Sequence, residues 1–255
     1  MLWVLVRREL LDHWRSRRLI FVPLGFLLFA AIEPVSMKLL PTLLHQGGNL
    51  PPGSVIRIPT PSPGVVAGMG LGEIAQIGVL LLVLVTMGQV AGERQSGILG
   101  PVFSWPIRRA AYLGAKALAL LAIVLLSLAL GVAGAVYETA VLFGPVSLQG
   151  AAEAFLIDLP YFLLPIAATL LGSVLFAAPL AAGGSALAAT IILDTVPHLF
   201  GGIVAKAGPS ALLPLAQQAI GGGAVAGAVL PALTTLAICL VFLLAGGWAL
   251  EGREV

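Results

Sequence analysis

Long apolar stretches alternate with short polar segments along the whole chain. Six of these stretches reach the roughly 20 residues that a helix needs to cross a bilayer. The pattern predicts an all-α integral membrane protein with about six transmembrane helices in one transmembrane domain over residues 1–255. Gly183 and Gly184 alone separate the fourth stretch from the fifth. The predicted spans are residues 19–44, 68–91, 111–136, 159–181, 185–204 and 225–250.

Composition supports a membrane environment and argues against several other classes. Of 255 residues, 59% are hydrophobic and 9% are charged, whereas an ordinary soluble domain has about 25% charged residues. The mean hydropathy is +1.08. The single cysteine, Cys239, excludes an intrachain disulfide and a multi-cysteine metal site, and no metal is expected. The isoelectric point near 9.0 comes with a net charge of only +2, so nucleic acid is not an expected partner.

The distribution of lysine and arginine predicts the orientation of the chain. With the amino terminus inside, ten basic residues fall on one side of the membrane and three on the other. Cytoplasmic segments of membrane proteins carry the excess of Lys and Arg, so both termini are expected in the cytoplasm of a multi-pass plasma-membrane or inner-membrane protein. The cytoplasmic ten are Arg7, Arg8, Arg15, Arg17, Arg18, Arg94, Arg108, Arg109, Lys116 and Arg253; the external three are Lys38, Arg57 and Lys206.

The amino-terminal segment, residues 1–18, has the pattern of an amphipathic helix. Leu2, Val6, Leu10 and Trp14 recur at four-residue spacing, and the arginines fall largely elsewhere on the helix. Such a helix lies in the membrane interface, where His13 would be one more interfacial polar group. A plain positively charged flank is the alternative. A signal peptide does not fit, because five further spans follow.

The remaining connections are predicted to lie outside the cell. Five prolines between residues 45 and 63 argue against both a helix and a central strand. Residues 144–158 and 205–224 are also expected to be external loops, the second with a short helix near the outer surface.

A patterned polar segment, residues 92–110, lies between the second and third spans. Glu93 ends the second span, Gly97 and Pro106 interrupt any helix, and Arg108 and Arg109 precede the next one. The pattern predicts a short cytoplasmic element that docks on another protein and passes force to the spans beside it. A solvated loop that obeys the positive-inside rule is the alternative.

This segment resembles a known signature. The matching residues are Glu93, Gly97, Leu99, Pro106, Arg108 or Arg109, Tyr112 and Lys116. They are similar to the E-x-x-x-G-[TS]-L…P-[VI]-[SR]-R…G-K pattern of ABC-2-type permeases, the membrane subunits of type V ATP-binding cassette exporters. The order of elements is similar over nearly the whole chain. Ile98 departs from the pattern, where Thr or Ser is usual, and GPVFSW replaces a leucine-rich run.

The resemblance implies a function and partners. Permeases of this family form homodimers or heterodimers, and each half binds one cytoplasmic ATPase through a coupling helix between spans two and three. No G-x-x-x-x-G-K-[ST] phosphate-binding motif occurs in this chain. The chain is therefore expected to be no enzyme and to bind no cofactor, with ATP and Mg²⁺ on a separate ATPase. The resemblance assigns ATPase coupling to Glu93, Gly97, Leu99, Trp105, Pro106, Arg108, Arg109 and Lys116; Arg108, Arg109 and Lys116 would contact the ATPase or lipid phosphates.

Ionisable groups inside the spans offer a weaker hypothesis for a transport pathway. Such groups are costly in a bilayer and are by default functional candidates. The candidates are Glu73, Gln76, Asp194 and His198, with Glu33, Lys38 and Glu138 nearer the span ends. Hydrogen bonding between helices is the structural alternative. An ion-gradient-driven transporter or channel would use Glu73, Asp194 and His198 as coupling groups, and an intramembrane enzyme lacks a recognisable catalytic motif.

Small residues in the spans predict close helix packing. Gly64, Gly68 and Gly72 repeat at four-residue spacing, which lets helix backbones approach one another. Packing within the chain is preferred here over a dimer seam.

Overall fold

The fold consists entirely of helices and turns over the residues that the structure, a computed structural model, describes: 2–46, 61–104 and 108–252. A 3₁₀ turn at Pro209–Ala211 joins α9 to α10. The helices are α1 Leu2–Arg15, α2 Arg18–Gln46, α3 Pro63–Thr86, α4 Ala91–Gln95, α5 Leu99–Phe103, α6 Arg109–Leu142, α7 Leu148–Leu175, α8 Pro179–Phe200, α9 Gly202–Ala207, α10 Leu212–Ile220 and α11 Val229–Glu251.

Six of these helices are long and apolar enough to cross a membrane, which confirms the predicted architecture. They are α2, α3, α6, α7, α8 and α11, with the apolar run of α3 continuing through α4. Helices α3, α6 and α7 have most of their surface buried by the rest of the chain, whereas α2, α8 and α11 leave most of theirs uncovered. The bundle therefore has a three-helix centre and three peripheral spans.

The boundary between the fourth and fifth spans was predicted wrongly. The break lies at 176–178, and Gly183 and Gly184 are inside α8. Pro179 is the first residue of α8, where its missing N–H has no intrahelical partner to lose. Gly183 packs closely against α3 and the turn that follows it, because a Cβ there would lie 3.1 Å from the sulfur of Met87.

The prediction of an external loop at residues 144–158 is also wrong over most of its length. Helix α7 begins at Leu148, and the Ser147 hydroxyl caps it by accepting the Gly150 N–H at 3.1 Å. Asp158 is consequently a helical residue, and it is buried. The loop around residues 47–60 lies outside the described residues.

Helix α1 packs on α6 and on α2. Leu5, Val6, Glu9 and His13 are buried, whereas Leu2 and Trp14 of the predicted apolar row are exposed. The chain then turns sharply into α2 at Arg17, which has a positive φ of 59°.

The short helix expected within residues 205–224 is α10, and it is built into the bundle against α3 and α7. The glycine row of α3 makes that approach possible. A Cβ at Gly64 would lie 2.6 Å from the Cα of Gly221, and one at Gly72 would lie 3.0 Å from the side-chain nitrogen of Gln217. The row thus serves packing within the chain, as preferred from the sequence.

Gly64→Ala is expected to lower the melting temperature of the purified protein in detergent, because the new methyl group would meet backbone that cannot rotate away. Overpacking of this kind costs about 1–3 kcal/mol. Gly184→Ala is the matched control, since Gly184 is also helical and has no atom within 4 Å of its Cβ position. Equal melting temperatures for the two variants would contradict the close contact.

Candidate functional site

A buried ion cluster joins three separate elements at the end of the bundle where α1, α4 and the start of α6 meet. The Lys116 ammonium lies 3.0 Å from Oε2 of Glu9 and 2.8 Å from Oε1 of Glu93. The Tyr112 hydroxyl donates a hydrogen bond to the other oxygen of Glu93. We call these four residues the Lys116 cluster.

The four members come from three helices, and helix geometry brings them together. Tyr112 and Lys116 are four residues apart on α6 and therefore lie on one face. Glu9 comes from the buried face of α1, and Glu93 comes from the first turn of α4. The side chain of Lys116 is 1% exposed, and that of Glu9 is 6% exposed. The Lys116 cluster thus connects α1, α4 and α6 through buried polar contacts.

The electrostatics of the Lys116 cluster make it sensitive to the loss of any member. Two carboxylates share one ammonium, and the Tyr112 hydroxyl supplies a further donor to the carboxylate side. Removal of one partner from a buried ion pair leaves an uncompensated charge and costs about 3–5 kcal/mol.

The turn at residues 87–90, which separates α3 from α4, is stabilised by α7. Ser173 is buried, and its hydroxyl accepts the N–H groups of Val90 at 3.0 Å and Ala91 at 2.8 Å. The same hydroxyl donates to the carbonyl of Met87 at 3.1 Å. One side chain therefore satisfies backbone groups that the interrupted helix leaves without intrahelical partners. Nearby, the Arg94 guanidinium donates to the carbonyl of Val174 at 3.2 Å.

The segment that was predicted to couple to a partner, residues 92–110, is ordered as two short helices over its described part. Gly97 separates α4 from α5 with a φ of +73°, a conformation that favours glycine. Leu99 is buried, and the Phe103 ring lies edge-on to the Tyr112 ring at 5.2 Å. Ser96, Ile98, Gly100 and Pro101 form the exposed side. Trp105 and Pro106 lie outside the described residues.

The predicted basic residues of this segment differ in their surroundings. Arg108 is exposed. The Arg109 guanidinium donates to the carbonyl oxygens of Leu250 and Glu251, the latter at 3.1 Å, and so ties α6 to the end of α11. Lys116 was expected to contact an ATPase or lipid phosphates, but burial inside the ion cluster leaves it unable to do so.

Sequence reasoning missed Glu9 and misplaced His13. Both lie on the buried face of α1, and His13 is fully buried rather than interfacial. Neither ring nitrogen of His13 has a hydrogen-bond partner among the described residues. Burial, with the nearby charge of Arg18 as the second cause, lowers the pKa of His13 to about 4. The sequence does contain a signal for this buried face: Leu5, Glu9 and His13 recur at four-residue spacing, next to the row Leu2, Val6, Leu10 and Trp14.

A second polar cluster lies within the membrane spans, between α7, α8 and the 3₁₀ turn. The Tyr161 hydroxyl donates to Oδ2 of Asp194 at 3.2 Å. The Ser210 hydroxyl donates to the carbonyl of Asp194 at 3.0 Å and lies 2.9 Å from Nε2 of His198. Asp158 is 1% exposed, and its Oδ1 has no hydrogen-bond partner among the described residues. Two of the predicted candidates, Asp194 and His198, thus both contact Ser210, and Tyr161 and the unpredicted Asp158 belong to the same region of α7.

The other intramembrane candidates do not join this cluster by any contact among the described residues. Glu73 is partly exposed and Gln76 is exposed on α3, and neither forms a hydrogen bond or ion pair with a described residue. Lys38 lies at the far end of α2, where it donates to the carbonyl of Leu142 at 3.1 Å. Lys38 therefore satisfies a carbonyl group at the carboxyl end of α6.

Comparison with known proteins supports the membrane assignment. No family model matches the sequence. A transmembrane protein of Bacillus subtilis (strain 168), YxlG, itself uncharacterised, is 29% identical over 196 residues, which is 77% of this chain and 76% of that protein. With six apolar helices of membrane-spanning length, the conclusion is direct. The chain is a multi-pass membrane protein.

Lys116→Met is expected to destabilise the protein by about 3–5 kcal/mol, because buried Glu9 and partly buried Glu93 would then lose their shared cation. Addition of Glu9→Gln to this variant is expected to recover part of the loss, so that the effects of the two substitutions are not additive. Melting curves in detergent measure both. Arg108→Gln, an exposed cation at the same end, is the control, and strict additivity would contradict the cluster.

The stability of the protein is expected to fall as the pH drops from about 6.5 toward 4. Over that interval His13 is neutral in the folded protein, with a pKa near 4, whereas the unfolded chain protonates it near 6.5. The unfolded state then binds more protons, which lowers the free energy of unfolding by at most about 3 kcal/mol. Melting temperatures of wild type and His13→Gln between pH 7.5 and 4.5 test this. The variant should lose this part of the slope, and parallel curves would contradict the assignment.

Proposed function

We propose that this chain is the membrane-spanning permease subunit of an ATP-driven exporter of the ABC-2 type, which works with a separate cytoplasmic ATPase. The observation that carries the proposal is the Lys116 cluster. Glu93, Tyr112 and Lys116 are separate parts of the sequence pattern that resembles the ABC-2 signature, and their side chains bond to one another. If the resemblance were due to chance, the side chains that carry it, spread over 24 residues, would have no reason to lie together in the structure.

The surroundings of this cluster fit a coupling element. An ATPase that presses on the exposed side of α5, at Ile98 and Pro101, would act on a segment with fixed connections. Buried Leu99 and the contact of Phe103 with Tyr112 connect it to α6. Glu93 connects it through Lys116 to α1, and Ser173 connects the preceding break to α7. Motion of this segment would therefore be passed to two central spans rather than absorbed in a loop.

The orientation in this proposal places the arginine-rich end in the cytoplasm of the plasma or inner membrane. The contact of Arg109 with the last residues of α11 puts the starts of α2 and α6 and the end of α11 toward one end of the bundle. This end carries the predicted excess of basic residues. ATP and Mg²⁺ would bind to the partner ATPase, and the chain itself would carry no catalytic residue and no cofactor.

A pair of permease chains is part of the proposal. The peripheral spans α2, α8 and α11 leave apolar side chains uncovered, among them Leu180, Leu199 and Leu244. Such faces contact lipid or a second permease, which would be a copy of this chain or a related one.

Ile98→Glu is expected to abolish co-purification of the ATPase in mild detergent while leaving the melting temperature of the permease within about 1 °C of wild type. Ile98 is 42% exposed, so the new charge disturbs little inside the chain and much at a docked surface. Ala224→Glu, a change at an exposed residue in the loop before α11, is the control. Mass spectrometry of the purified complex and an ATPase assay give the readout. A stoichiometric ATPase retained by Ile98→Glu would contradict the docking surface.

A gradient-driven transporter is the second candidate, and the buried Asp158 beside the Tyr161–Asp194 pair is the observation that favours it. Under the permease proposal, Asp158→Asn leaves ATPase-coupled transport in place and does not lower thermal stability, because it replaces a buried carboxyl group that has no partner cation among the described residues. Proton-driven or sodium-driven flux into liposomes that contain this chain alone, lost in Asp158→Asn, would favour the second candidate instead.

A further inference from the structure

A cavity of about 630 Å³, with six charged residues in its lining, lies between α1 and the segment 88–98, beside the Lys116 cluster. Gly88 and Gly92 form part of its wall, and a Cβ at either position would meet nothing within 4 Å. That side of the cavity is therefore backbone without side chains, which leaves room for an occupant. Sites for small ligands commonly measure about 300–1,000 Å³.

The cavity presents guanidinium groups that nothing else in the described chain uses. Arg8 and Arg15 lie two turns apart on α1, and Arg18 begins α2. None of the three side chains forms an ion pair or a hydrogen bond with a described residue. Arginines arranged in this way suit a phosphate, which accepts several charge-assisted hydrogen bonds at once.

The cavity also presents carboxylates, so a purely anionic occupant would not complement it. Glu9 and Glu93 line it and share one ammonium between them, and Asp12 lines it with no ion-pair partner among the described residues. Three guanidinium groups and three carboxylates surround one space. An occupant that carries both a phosphate and an ammonium group matches this arrangement.

The flank of α1 beside the cavity is apolar and uncovered. Leu11 lines the cavity and is 46% exposed, and Trp3 and Trp14 on the same helix are more exposed still. Tryptophan side chains favour the headgroup level of a bilayer, and Arg18 stands at the start of the first span. An occupant with acyl chains would thus find apolar surface next to its polar group.

We propose that this cavity binds the headgroup of a zwitterionic phospholipid with a primary amine, of the phosphoethanolamine class. The phosphate lies among Arg8, Arg15 and Arg18, and the ammonium donates to Asp12 and to the open side of Glu93. A quaternary choline ammonium has no N–H to donate, and a phosphoglycerol headgroup has no cation. Phosphatidylethanolamine is therefore preferred over both. The inference needs only that the chain lies in a membrane, and it stands apart from the identity of any ATPase.

Native mass spectrometry of the purified chain, titrated with phosphatidylethanolamine, phosphatidylcholine and phosphatidylglycerol, tests this site. Wild type is expected to prefer phosphatidylethanolamine. Arg8→Gln with Arg15→Gln is expected to weaken its binding about tenfold, since hydrogen bonds to charged groups are lost. Arg7→Gln, an exposed arginine of α1 that does not line the cavity, is the control.

Asp12→Asn separates headgroup recognition from simple attraction of phosphate. It is expected to reduce the preference for phosphatidylethanolamine over phosphatidylcholine and to leave binding of phosphatidylglycerol equal or tighter. Competition by soluble phosphoethanolamine or inorganic phosphate at concentrations like those of the lipid would show a site for a soluble phosphate compound and overturn the lipid assignment. Equal binding of all three lipids would overturn it too, as would unchanged lipid binding in the Arg8→Gln, Arg15→Gln variant.

Discussion

The arrangement of this protein's arginine-rich end depends on one buried cation. Lys116 lies within the third span, and its ammonium is removed from solvent. A buried ammonium is tolerated only where anions and hydrogen-bond acceptors surround it. Glu9 and Glu93 supply them; Glu9 comes from the arginine-rich helix α1, and Glu93 comes from α4, a helix of only five residues. The cation requires the carboxylates, and the carboxylates position the two helices.

The same constraint explains why residues 92–104 form a structured element and not a solvated loop. Glu93 is fixed by Lys116 and Tyr112, the preceding backbone by Ser173, and the following helix by buried Leu99. A loop held only by solvent would have none of these contacts. What is left exposed is a narrow strip around Ile98 with firm support beneath it. Such a strip can transmit a displacement, because packed interiors shift between arrangements and do not deform continuously.

Hydropathy was sufficient to predict the six spans, because a bilayer admits few kinds of apolar segment. Hydropathy failed to predict where two of the helices begin, because local chemistry sets those positions. Pro179 starts α8, Ser147 caps α7, and Gly183 lies inside α8 at a close packing contact. Hydropathy also misplaced Lys116, because charge counting treats every lysine as facing solvent. Glu9 and His13 were harder still. Their row on α1 looks less apolar than its neighbour, and only a partner on α6 makes it the buried one.

Helix α7 contacts both the turn before α4, through Ser173, and the Asp194 region, through Tyr161. Ser173 and Val174 near its carboxyl end hold the break before α4. Asp158 lies 15 residues before Ser173 in the same helix, about 22 Å along its axis at 1.5 Å per residue. Pro160 and Pro165 lie between them, and each removes a backbone hydrogen bond at which a helix can bend. A shift of the segment before α4 would thus act first on the carboxyl end of the helix that carries Asp158, on the far side of its two prolines.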